Sequence, residues 1–132
     1  MRPRSGSPAD WLYRASSDLL LARGPVREGI ALEDLCFHAQ QAADKSIKAV
    51  LVADSILFPN THNLDVLLGL LPSGVSVPPD DAYISRLTEY AVAARYPGMD
   101  EPVTDDEYHE AVRLAESVVK WAEDILKQSG AV

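Results

Sequence analysis

The chain has 132 residues, 47% of them hydrophobic and 24% charged, which fits one globular domain and excludes a disordered chain. Twenty acidic against twelve basic residues leave a formal net charge of -8, opposing nonspecific adhesion to phosphate backbones while leaving room for a local basic stripe. Apolar runs are only a few residues long, so no membrane span is expected, and the basic start at Arg2 and Arg4 meets Asp10, Arg14 and Asp18 rather than a secretion signal's apolar stretch.

Ser7-Pro8-Ala9-Asp10 supplies a capping hydroxyl, a proline at the first helical position and an acid in the first turn. The pattern predicts a helix to about Arg23, with Trp11, Ala15, Leu19 and Ala22 facing the core and Leu12 and Leu20 widening that stripe; Gly24-Pro25 ends it. From about Ala31 to Ser55 there is neither glycine nor proline and alanine is frequent, which predicts one long central helix. Phe58-Pro59-Asn60-Thr61 breaks it, and Asn60 or Thr61 is expected to cap a short helix carrying Leu64, Leu67, Leu68 and Leu71.

Pro72 to Pro79 reads as a loop. Asp80 to Ala94 reads as a fourth helix with Ile84, Leu87, Ala91 and Ala94 inward, closed by Tyr96-Pro97-Gly98. Thr104-Asp105-Asp106-Glu107 has the form of a capping box and opens a last helix to about Lys127, whose Ala111, Leu114, Ala115, Val118, Ala122 and Ile125 keep the helical period. The expected fold is therefore all-α: an antiparallel helical bundle of about five helices with a long central helix, one domain whose core spans about 8–128. There is no strand pattern and no internal repeat.

At about 100° per residue, His38, Gln41, Lys45 and Lys48 share a stripe about 80° wide on the central helix. Beside it Ala39, Ala42, Ser46, Ala49 and Ala53 form a small-residue face that lets another helix approach closely. The four polar side chains can donate to a phosphate or carboxylate in a groove, although the same pattern also describes a solvated face with His38 at its edge. Arg95, next to the turn at Tyr96-Pro97-Gly98, suits planar recognition of phosphate and equally suits pairing with the last helical carbonyls or an acid. His62 offers an imidazole near neutral pH, or simply caps or packs a helix start. Cys36, between Leu35 and Phe37, reads as a buried, inert thiol; as the chain's one cysteine it can form no internal disulfide, and the protein is expected to be cytoplasmic.

No glycine-rich phosphate loop, nucleophile-elbow serine or zinc-type Cys/His spacing occurs, and no Glu-x-x-His pair of a helical di-metal site. Neither a metal nor another cofactor is expected.

In order along the chain, Cys36-Phe37-His38-Ala39-Gln40-Gln41-Ala42-Ala43-Asp44-Lys45-Ser46-Ile47-Lys48-Ala49, Thr61-His62-Asn63-Leu64 and Ala94-Arg95-Tyr96-Pro97 resemble a prokaryotic HEPN domain. The resemblance runs from about Ala9 to Lys127. It implies a helical bundle that commonly dimerises, is often encoded beside a minimal nucleotidyltransferase in toxin-antitoxin-like systems, and is associated with nucleotides or RNA. Catalytic members of the family carry an arginine followed after about four to six residues by a histidine that shuttles a proton during RNA cleavage. Here Arg95 is followed by Tyr96, Pro97, Gly98, Met99, Asp100, Glu101 and Pro102, and the next histidine, His109, falls in the last predicted helix.

The expectation is thus a non-catalytic homodimeric module. Its groove, drawn from His38, Gln41, Lys45, Lys48, His62 and Arg95, would bind a nucleotide, RNA or another anionic ligand, or dock a nucleotidyltransferase. The alternatives are a metal-independent RNase in which Arg95 works with His38 or His62 brought near in space, and a scaffold that dimerises through the alanine face.

Overall fold

In the computed structural model, which describes residues 2–93 and 101–132, the first helix begins where the capping chemistry places it. Ser7 has extended backbone and its Oγ accepts from the Asp10 amide at 3.1 Å, with Pro8 opening the helix. Helix α1 runs Pro8–Arg23 and ends on the Gly24 amide donating to the Leu21 carbonyl. Ala15, Leu19 and Ala22 are buried as expected, and Trp11 and Leu12 are partly buried against the core. Leu20 is not part of that stripe: it is 65% exposed, because the stripe is narrow and Leu20 falls on its outer flank.

Helix α2, Leu32–Ala53, is the central helix of the sequence reading; at about 1.5 Å per residue it is roughly 33 Å long. It has no side-chain N-cap, but Glu33 and Asp34 in its first turn complement the positive end of the helix dipole. Of residues 39–51 all but Lys45 are buried, because α1 packs on one side of α2 and the last helix on another. A helix enclosed on this scale that still carries Gln40, Gln41, Asp44, Ser46 and Lys48 has to pair most of those groups internally; Ser46 Oγ has no hydrogen-bond partner among the described residues.

Helix α3, Leu64–Leu68, is short and starts later than expected. Asn63, not Asn60 or Thr61, is the cap: its Oδ1 accepts from the amides of Asp65 and Val66 at 3.0 and 3.3 Å. Thr61 instead steadies the cap, its Oγ1 accepting from the Asn63 amide at 3.1 Å. Leu71 lies just past the helix, in a turn closed by its amide on the Leu68 carbonyl.

The predicted fourth helix is realised as three pieces, α4 (Asp81–Ile84), a 3₁₀ turn (Ser85–Glu89) and α5 (Tyr90–Ala93), with Ile84, Leu87 and Ala91 buried as the helical period requires. Ala94, and the predicted stop at Tyr96-Pro97-Gly98, lie outside the described residues. Helix α6, Asp105–Gln128, opens on the complete capping box: Thr104 Oγ1 accepts from the Glu107 amide at 3.1 Å and Glu107 Oε1 from the Thr104 amide at 3.0 Å. Counting α4 to α5 as one segmented helix, the described residues hold the five helices of the expectation and no strand.

Candidate functional site

Two buried carboxylates organise the polar residues of the interior. Asp18 sits on the inner edge of α1, where its side chain is 10% exposed. Its Oδ1 lies 3.0 Å from His38 Nδ1 and its Oδ2 accepts from Lys45 Nζ at 2.6 Å, both partners standing on α2. A carboxylate only accepts, so the imidazole donates through Nδ1 and keeps Nε2 for another partner.

Asp44, on α2 itself and only 1% exposed, is the second centre. Its Oδ2 lies 2.6 Å from Nδ1 of His62, a ring 42% exposed. The Lys48 ammonium stands 2.7 Å from Oδ1 but outside hydrogen-bond geometry, so this contact is a Coulombic one. Lys48 is also held between the faces of Trp11 and Phe58, 5.9 and 5.5 Å from the ring centroids, and those rings meet edge to face at 6.0 Å. Gln40 donates to the His62 carbonyl at 2.9 Å, and Gln41 donates to Gln40 Oε1 at 2.7 Å.

The stripe read from the sequence therefore divides. On the helical wheel His38 and Lys45 lie about 20° apart, Gln41 and Lys48 about 20° apart, with roughly 40° between the pairs. That step is enough to turn the first pair toward Asp18 and the second inward, where Lys48 meets Trp11 and Phe58 and Gln41 bonds to Gln40. Lys48 and Gln41 are committed to the interior, and His62 belongs with them through Asp44. The structure brings His38 and Lys45 together; Arg95 lies outside the described residues.

Beside His38 and Lys45 an open polar hollow of about 410 Å³ is lined by Arg2, Tyr13, Arg14, Ser17, Asp18 and Lys45. It is within the usual range of ligand pockets, roughly 300–1,000 Å³. Arg2 lies over the Tyr13 ring at 5.1 Å and 3.7 Å from Asp10. Five of these residues, all but Lys45, escaped the sequence reading. The signal was present in the spacing of α1, where Tyr13 and Ser17, and Arg14 and Asp18, are i, i+4 pairs on one face.

Cys36 is fully buried, and burial, followed by the nearby charges of Glu33 and Glu107, pushes its thiol up to about 12, so it is held as the unreactive acid form. His109 is exposed on α6 beside the Tyr108 ring. Among the described residues no three His, Cys, Asp or Glu side chains cluster as metal ligands, and no helix is long and apolar enough to cross a membrane.

Comparison with known proteins places this geometry in a family. The HEPN domain model matches residues 8–125. The crystal structure of TT1696 from Thermus thermophilus superposes with a TM-score of 0.78 at 31% sequence identity, over 89% of this chain and 96% of that one. No match was found among curated proteins.

Proposed function

This chain belongs to the HEPN domain family, and from that premise we propose that it works as a non-catalytic binding module for a nucleotide or similar anionic ligand. In this reading it acts as a homodimer beside a minimal nucleotidyltransferase, in a toxin-antitoxin-like setting. The observation that carries the binding role is the convergence of His38 and Lys45 on Asp18 at the edge of the polar hollow. A buried carboxylate that fixes an imidazole and an ammonium in place holds donors ready for an anion without a further ordering cost.

Calorimetry of the purified protein with a panel of nucleotides and short RNAs tests this. Lys45→Gln is expected to weaken binding while circular dichroism stays close to that of the parent, and Lys45→Glu to abolish binding and to lower the urea midpoint as well, since it sets a second carboxylate against Asp18. Binding unchanged in both variants sinks the reading.

A second reading, a metal-independent RNase, is favoured by one observation: His38 and His62 each give Nδ1 to a carboxylate, the arrangement that orients Nε2 for proton transfer. It requires one of these rings to act with Arg95. Product analysis of the same RNA samples decides it, since cleavage lost in Arg95→Ala supports the enzyme and intact RNA in the parent protein excludes it.

A further inference from the structure

We infer that the hollow on α1 is a site for a phosphate group, with Arg14 as its main free donor and Arg2, Ser17 and Lys45 completing it. This deepens the anion-binding reading and rests on it. Three cations and one carboxylate line the hollow on a chain whose formal net charge is -8, so the local balance runs against that of the whole molecule.

The cations are not equivalent. Lys45 is already 2.6 Å from Asp18, and Arg2 is drawn toward Asp10 at 3.7 Å while covering the Tyr13 ring. Arg14 is exposed and makes no ion pair or hydrogen bond among the described residues, so its planar fork of five N–H donors stands open. The carboxylate in the wall would repel an anion if it were bare. Both of its oxygens are covered, Oδ1 by His38 and Oδ2 by Lys45, which neutralises it and leaves the guanidinium field in control.

The number of donors selects the ligand class. One guanidinium bound through its fork occupies both oxygens of a carboxylate, whereas a terminal phosphate gripped in the same way by Arg14 keeps a third oxygen for Arg2, Ser17 or the remaining Lys45 hydrogens. An extended polyanion fits less well, because the acidic balance of the chain disfavours a long phosphate backbone.

The test is calorimetry at low salt with inorganic pyrophosphate, orthophosphate, acetate, a nucleoside monophosphate and its parent nucleoside. Pyrophosphate and the nucleoside monophosphate are expected to bind and acetate and the nucleoside to fail. Arg14→Ala should weaken pyrophosphate about tenfold or more, as loss of a charge-assisted contact does. Arg86→Ala, which removes an exposed guanidinium paired with Glu110 in a different pocket, should leave binding unchanged. Lys45→Gln should lose binding together with Arg14→Ala.

Pyrophosphate binding that persists in Arg14→Ala but is lost in Lys45→Gln overturns the α1 site and leaves the anion-binding module standing. Equal losses in Arg14→Ala and Arg86→Ala show diffuse charge attraction and overturn the site as well. Acetate binding as tightly as pyrophosphate overturns the phosphate class, and a wild-type protein that binds nothing in this panel or among the nucleotides and RNAs overturns both readings.

Discussion

Single side chains show where sequence reading stopped. The donors of the central helix were legible because His, Gln and Lys on a helix face are conspicuous, but the acids that sort them were not. In a chain with twenty acidic residues, each Asp reads as one more solvated charge. Asp18 did carry a signal, since it lies three residues after Ala15 and four before Ala22 and so on the core stripe of α1. Asp44 and Lys48 form the most enclosed pair, 1% and 5% exposed. Taking two charges out of water costs several kcal/mol per ion, which mutual attraction offsets only while both are present. Asp44→Ala is therefore expected to destabilise the fold by about 3–5 kcal/mol, because it strands a buried ammonium and releases His62. Urea unfolding with linear extrapolation measures this, and Lys48→Met in the same background should recover a large part of the loss. Additive losses in the double variant would show that the two residues act independently and that the pair is not what Asp44 stabilises.

Helix boundaries were legible where a cap is encoded by adjacent residues and illegible where the cap is set by tertiary contacts. Ser7 and Thr104 were found because each stands beside its own partners, Asp10 and Glu107. The start of α3 was misplaced because the expected caps, Asn60 and Thr61, come first in a short polar stretch, whereas the cap falls on Asn63, the residue adjoining the buried Leu64. The segmented fourth helix had no warning in glycine or proline. Its residues are drawn elsewhere instead: Thr88 Oγ1 accepts from the Leu64 amide at 3.2 Å, and Asp80, in the left-handed region at φ 60°, accepts from Arg113 at 3.1 Å. Tighter 3₁₀ winding lets Leu87 stay buried while Thr88 meets α3. Of these features the Thr104 box is the cleanest to probe, since both of its hydrogen bonds are local and exposed. Thr104→Ala should cost about 1 kcal/mol of stability, within the usual span of roughly 0.5–2 for N-caps, and Thr104→Ser should cost less. Equal urea midpoints for parent and Thr104→Ala would mean that α6 is held by packing alone.

At the scale of the whole molecule, the bundle was legible because its three long helices obey one period, and what escaped was how they are tied together. α1, α2 and α6 all touch one another, with α2 enclosed between its neighbours. Two polar ties close that triangle: Arg23 at the end of α1 pairs with Glu116 of α6 at 2.6 Å on the exposed side, and in the interior the Tyr108 hydroxyl, at the start of α6, donates to the Ala22 carbonyl near the end of α1. That carbonyl belongs to the last turn of a helix, where intrahelical partners run out, so the phenol satisfies a group that would otherwise be left bare. Burial holds the Tyr108 phenol above its ordinary range, with a smaller push from Cys36, which favours the protonated form that donates. Tyr108→Phe keeps the ring, the packing and the charge and removes only this donor. It should cost about 1–3 kcal/mol, the penalty for a buried acceptor that loses its partner, with the urea m-value unchanged because the same surface is exposed on unfolding. A change well under that range would show that water reaches the Ala22 carbonyl and that apolar packing and the exposed Arg23–Glu116 pair suffice to join α6 to α1. A loss accompanied by a lower m-value would show instead that the hydroxyl keeps the two helix ends from fraying apart before the bundle unfolds.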